Sequence, residues 1–269
     1  LSNGRFTDPG LGVSLEGIEA LAQLQGGQAR VSSTARLSTG GLLRVDGPIG
    51  LEPPFQSRLS VSLDRIRLVD PDLYETTLGG SLAIDGPLAG GALVAGSIQL
   101  FETEIRVSDS GFASAAALLN LVHINEPGAV RDTRVRAGLI DTGAAASDTA
   151  GLNRPFRLDL TVSAPARVFV RGRGIDAELG GQIRLQGTTD AIVPSGQFSL
   201  IRGRLDILGK RLVLSEAEMQ LAGRAVPNLR VVAENRGTDV ISRVTVEGPA
   251  DDPVVTFSSV PELPQEEVL

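Results

Sequence analysis

The run from Arg167 to Leu221, RVFVRGRGIDAELGGQIRLQGTTDAIVPSGQFSLIRGRLDILGKRLVLSEAEMQL, decides how the chain folds. Its apolar residues occupy alternate positions: Val168/Val170, Ile183/Leu185, Phe198/Leu200, Leu205/Ile207 and Leu212/Leu214, with Arg, Gln, Asp and Ser between them. That is the period of a strand with one apolar and one wet face. Glycines punctuate the run and predict strands of about five or six residues. Nothing in it reads as a crossover helix. The stretch is a meander whose strands all bury the same side.

Composition narrows what such a meander can be. Hydrophobic residues make up 42% of the 269, yet aromatics are 3%, with no Trp and one Tyr. Leu, Val, Ile and Ala pave a surface smoothly but supply few large anchors for a compact interior. The 32 Gly and 15 Pro follow no collagen period and read as turns. A formal charge of −7 and a pI near 4.9 argue against nucleic acid as a partner. With no cysteine, disulfides and thiolate metal sites are excluded. No apolar run reaches the roughly 20 residues of a membrane-spanning helix. The chain starts at Leu1 without Met or signal peptide, so it is expected to be a fragment of a longer protein.

Outward from the central stretch, residues 4–50 hold alternating segments, among them Val13/Leu15, Ala29/Val31, Ala35/Leu37 and Leu43/Val45. Leu15–Leu24 has some helical character, but Gly17 weakens it and the segment is read as strand. From Pro54 an internal repeat begins. A shift of 101 places Pro54-Phe55 on Pro155-Phe156, Val61-Ser62 on Val162-Ser163 and Leu78-Gly79-Gly80 on Leu179-Gly180-Gly181. One deletion later Gly96 falls on Gly196, Ile98 on Phe198 and Leu100 on Leu200. Self-similarity of this kind marks stacked architectures.

Three segments follow: strands of a first copy over 1–107, an insertion over 108–154, and strands of a second copy over 155–269. In the insertion, Phe112–Ile124 and Pro127–Leu139 have the composition of short helices, and Asp141–Ala150 reads as a small-residue loop. Strands resume at Leu229–Ala233, Val240–Glu247 and Val254–Phe257, about fifteen short strands in all, before a Pro-flanked acidic tail.

Candidates for chemistry are few. His123 is the one histidine and has neither cysteine nor a carboxylate partner at ligand spacing. A Ser-His-Asp triad would have to use it, and no serine sits on a G-x-S-x-G elbow. Gly172-Arg173-Gly174-Ile175-Asp176-Ala177 matches a dinucleotide fingerprint, but that motif needs a following helix. Here Gly180-Gly181 arrives at once and another strand is expected. Asp70, Asp72 and Glu75 lack the glycine and spacing of a calcium loop and read as a solvated turn. No residue set supports an enzyme, and no cofactor or metal is expected.

Between 157 and 211 nine basic residues face five acidic ones, a local charge of +4. Arginines beside an apolar face can grip lipid phosphates; equally, they occupy the polar half of each alternation, where they serve as a soluble outer face. The apolar halves raise the larger question, since a sandwich or barrel would hide them against a second layer. With so many short aliphatic strands, a long sheet curled into a trough is the better expectation, and such a trough favours acyl chains at about 0.8 kcal/mol per buried methylene. Its expected lining is Leu59, Val61, Leu82, Ile84, Ile98, Leu100, Val168, Val170, Ile183, Leu185, Phe198, Leu200, Leu205, Ile207, Leu212, Leu214, Val244 and Val246.

The order ARVFVRGRGIDAELGG (166–181), IRLQG, SGQFSLIRGRLDILGKRLVLSEA (195–217), PNL (227–229), VTVEGP (244–249) and DDPVVTFSSVPELPQEEVL (251–269) closely resembles the C-terminal domain of the TamB family. The resemblance is strong over 155–269 and weaker over 1–154. One departure is Ala217, where the family pattern usually has Gly after the acidic residue; the departure counts against a turn there. The chain also stops at Leu269, short of the terminal segment expected to engage an outer-membrane partner.

The resemblance implies an all-β, elongated single sheet folded into an open half-tube, or β-taco, with an apolar interior, similar to AsmA-like bridge proteins that carry phospholipid between membranes. It also implies the periplasm of a Gram-negative bacterium, a parent anchored in the inner membrane, and TamA, an outer-membrane barrel, as partner. Two roles follow: a conduit for phospholipid acyl chains, or a chaperone that pairs with strands of nascent outer-membrane proteins such as autotransporters. A free-standing polysaccharide binder would need more exposed aromatic platforms than this chain has.

Overall fold

The computed structural model describes residues 1–8, 13–107, 154–207, 209–237 and 240–262. Both expected helices, the 141–150 loop, His123 and the tail beyond 262 lie outside the described residues. Within them the chain is all strand, with no helix: β1 (Gly4–Asp8), β2 (Val13–Gln25), β3 (Gln28–Leu37), β4 (Leu42–Gly50), β5 (Gln56–Asp70), β6 (Tyr74–Pro87), β7 (Leu93–Arg106), β8 (Arg157–Gly172), β9 (Ile175–Thr188), β10 (Ala191–Ile207), β11 (Lys210–Ala222), β12 (Asn228–Arg236), β13 (Ile241–Pro249) and β14 (Val254–Val260). They form one 14-stranded sheet in strict chain order. β1 and β14 do not pair, so the sheet curves without closing into a barrel.

Thirteen ladders hold it together, twelve antiparallel and one, β7 with β8, parallel. The strand starts keep the 101-residue offset of the sequence repeat, β5 at Gln56 against β8 at Arg157 and β6 at Tyr74 against β9 at Ile175. Because β7 and β8 run parallel, the chain leaves β7 at one rim of the sheet and enters β8 at the other.

The strands are much longer than the glycine punctuation suggested. β10 has 17 residues and β8 has 16; the fourteen strands among the described residues agree with the expected number of about fifteen, but most are long rather than short. Gly180-Gly181 lies inside β9, where one strand runs through rather than a new one starting. Ala217 lies inside β11, buried and paired with Val231, so no turn occurs there. Neither position ends a strand; the long strands bend instead.

β-bulges show where those bends fall. Register shifts occur in β5 between Leu63 and Ile66, in β7 and β8 between Gln99/Thr103 and Ala164/Val168, in β10 between Leu200 and Arg202, and in β11 between Leu214 and Glu216. Gly17 sits in the corresponding shift of β2. Together they draw a crease across the sheet, about halfway along the long strands. A bulge bends its strand and sharpens the twist, and aligned bulges fold the sheet along a line.

An added residue also reverses the side-chain alternation. Leu59 and Val61 precede the crease at odd positions, Ile66 and Leu68 follow it at even ones, yet all four keep to one face. The change of phase between Phe198/Leu200 and Leu205/Ile207 is the same device in β10.

Glycine at 80 is required by backbone conformation. Its φ of +153° is closed to L side chains, and a Cβ there would collide with the Ser97 carbonyl and come within 3.0 Å of the Ile98 Cα. Gly80→Ala is expected to cost about 1–3 kcal/mol, read as a lowered urea midpoint. Gly209→Ala, with open space around it, is the milder comparison.

Candidate functional site: an apolar trough

The inward face follows from the ladders. One row crosses nine strands as Ala20, Ser33, Val45, Val61, Leu82, Gly96, Leu160, Leu185 and Pro194. Beyond the crease another runs Thr76, Thr103, Val168, Leu179, Leu200, and a third runs Leu214, Ala233, Val244, Phe257. Between the rims no Lys, Arg, Asp or Glu occupies an inward position on β2–β14 among the described residues. At roughly 4.8 Å per strand pair the charge-free face runs about 58 Å.

Burial shows that this face is the concave one. A flat single layer leaves both faces equally wet, whereas Leu59, Val61, Val168, Phe198, Leu212, Leu214 and Val244 are buried. Leu82, Ile84, Ile98, Leu100, Val170, Ile183, Leu185, Leu200, Leu205, Ile207 and Val246 are half-buried. All eighteen positions expected from alternation therefore share the inward face, and none is exposed. The half-buried group still presents apolar surface to the trough.

The trough is packed unevenly. Ala177, Leu212, Leu214, Ala233 and Val244 form one cluster, with Ile175, Leu200, Leu205, Ile207, Val231 and Phe257 against it. Ala164, Val168 and Phe198 form a second, supported by Leu100, Ile105, Leu179, Ile183 and Met219. Both lie in β7–β14. Inward hydroxyls are satisfied locally: Thr76 and Thr103 bond each other at 2.7 Å, and Ser57 Oγ donates to the Gly86 carbonyl at 2.9 Å. Such pairing removes the penalty of an unmet polar group in an apolar lining. The alternation had not marked Thr76 and Thr103 as lining; their place in register, opposite Val168, does.

The arginines lie outside. Arg171 pairs with Glu104 and Asp176, Arg204 with Asp176 and Asp206, and Arg211 with Asp206, a chain of alternating charge across β7–β11. Arg184 grips Asp159 through two hydrogen bonds of 2.8 and 3.0 Å. Arg230 bridges Glu216 and Glu247. These residues answer one another across strands, as a soluble outer face does.

Asp70 accepts the Asp72 and Leu73 backbone N–H groups, and Glu75 pairs with Arg67, which makes that acidic trio a turn and a salt bridge. Arg173 and Gly174, both at positive φ, form the β8–β9 hairpin turn where the dinucleotide motif would need a helix. Among the described residues no group of His, Asp and Glu could hold a metal ion.

A sequence profile described as the TamB C-terminal domain matches residues 31–269, nearly the whole sheet. The chain belongs to the TamB family. TamB-family proteins are non-enzymatic transport and assembly modules of the Gram-negative periplasmic envelope, with a role in outer-membrane assembly or lipid transport.

The outer ion pairs set a pH dependence. Hydrogen bonds from Arg243, and then from Arg236, hold the Glu234 carboxyl below its ordinary range, and Arg184 does the same for Asp159. A depressed folded-state pKa gives stability that is present above the unfolded value and lost as pH falls through the folded one. Urea midpoints should therefore be flat near neutrality and fall once the carboxylates protonate. Arg243→Gln is expected to shrink that acid-side fall.

Proposed function

We propose that the trough shields phospholipid acyl chains in transit between the inner and outer membranes, as the periplasmic part of an inner-membrane-anchored protein. The supporting observation is the uninterrupted charge-free concave face from β2 to β14. An acyl chain laid along it leaves water at about 0.8 kcal/mol per methylene, while many equivalent aliphatic contacts and no deep pocket let it slide. The eighteen inward residues are the proposed lining, and head groups stay at the open side. The matching offsets of β5–β6 and β8–β9 support reading the sheet as two repeat copies that extend one trough. Extraction of the purified chain and mass spectrometry of what it holds is the direct test; phospholipid is expected, and a lipid-free preparation after exposure to vesicles argues against the reading.

A second reading rests on β14. Val254 and Val260 are 64% and 63% exposed, and β14 stands at the end of the strand order, beside β13. A strand at the end of a sheet can accept another by backbone pairing, which supports a scaffold for nascent outer-membrane proteins together with a TamA-like barrel. Photo-crosslinking from Val255 and Thr256 tests it: strand capture that survives charges placed in the trough favours this role.

A further inference from the structure

The crease over β8–β10 carries a brace that the crease over β5–β7 lacks. In β8 three residues, 165–167, stand opposite the single Gly180, and in β10 Ile201 is the one extra residue. Glu178 of β9 is the first residue beyond both bulges, opposite Phe169 on one side and Arg202 on the other. Its side chain is 10% exposed. One carboxylate oxygen accepts the backbone N–H of Arg167 at 3.1 Å, a donor that the bulge leaves without a ladder partner, at a residue with φ of +69°. The other oxygen accepts Arg202 Nε at 2.7 Å.

One carboxylate therefore ties the bent backbone of β8 to the bent strand β10. On the same convex line Ile201 lies over Gly180, close enough to sit 3.1 Å from a Cβ placed there, and Phe101 lies over Gly79 in the same way at 2.9 Å. The side-chain-over-glycine contact thus recurs in both copies. The carboxylate does not, since the residue 101 positions before Glu178 is Thr77.

We propose that Glu178 is a positioning residue that latches the fold angle of the trough across β8–β10, leaving the β5–β7 crease as the compliant half. Straightening β8 at its bulge pulls the Arg167 N–H from the carboxylate, and straightening β10 pulls away Arg202. Opening the trough there requires both bonds to break. Lip separation is thereby fixed in the half where the apolar clusters lie. Any consequence for lipid rests on the proposed function, whereas the latch itself does not.

The chain has no cysteine, so nitroxide labels can be placed cleanly. One pair, Asp190→Cys with Lys210→Cys, spans the rims beside β9 and β10; a second, Glu52→Cys with Asp72→Cys, spans those beside β5. Electron–electron double resonance is expected to give a longer and broader 190–210 distance with Glu178→Thr and an unchanged 52–72 distance. Glu178→Gln, whose amide oxygen still accepts a backbone N–H, should fall between. A 190–210 distribution unchanged by Glu178→Thr overturns the latch, and so does equal broadening of both pairs, which signifies general loosening. Retained phospholipid is measured on the same samples: lips that open with lipid content unchanged keep the latch and count against the conduit.

Discussion

Aspartate at Leu185 or Leu200 is expected to strip phospholipid from the protein while leaving the sheet folded. Both side chains face the trough and are only half-buried, so the new carboxylate meets the contents of the trough before it meets a packed core. An ionised group against acyl chains loses hydration without gaining a partner, and several kcal/mol of that cost falls on the bound state. Each 1.4 kcal/mol is tenfold in affinity, so retained lipid should drop by at least about tenfold, measured by mass spectrometry of the purified variants. Unchanged lipid in both variants would remove the trough as the lipid site. Leu214 is a poorer place for the same test, because it is 5% exposed and part of a packed cluster; a charge there attacks the fold.

The second large effect concerns the fold itself. Leu212 is 1% exposed and the largest fully buried side chain among the described residues, although only one sheet is present to bury it. Its cover comes from the curl, through Leu214, Ala177, Ala233 and Val244 and the half-buried residues around them. Leu212→Ala is expected to cost about 2–5 kcal/mol, the range for emptying a packed core site. Equilibrium unfolding in urea is the measurement. A cost below about 1 kcal/mol would mean that the site collapses or floods with little penalty, and hence that this half of the trough is wet. Together the two results separate what holds the sheet from what the sheet holds.

Much of this was legible in alternation alone. Val168/Val170 and Leu212/Leu214 face inward because period two admits one apolar face, and the scarcity of aromatics already weighed against a compact second layer. Strand length is not legible in the sequence, for a specific reason. A glycine between two alternating runs looks the same in sequence whether the chain turns back or runs on, and through Gly180-Gly181 it runs on. The signal that distinguishes the two is phase: Phe198/Leu200 and Leu205/Ile207 lie on even and odd positions of one strand, and one extra residue, Ile201, accounts for the difference. The outward arginines followed the same logic, since their alternation with the lining places them on the wet face, where carboxylates on neighbouring strands meet them.

The sequence by itself determined that this protein is an all-β sheet with one apolar and one charged face, because side-chain alternation is a property of each strand taken alone. Its resemblance to the TamB family was likewise written in the order of residues. Only the tertiary structure decided that the bulges of separate strands align into one crease, that Glu178 reaches the backbone of one neighbour and the guanidinium of another, and which inward residues are sealed and which stay open. Those properties depend on register between strands, and register is fixed by hydrogen bonds among residues distant in the chain.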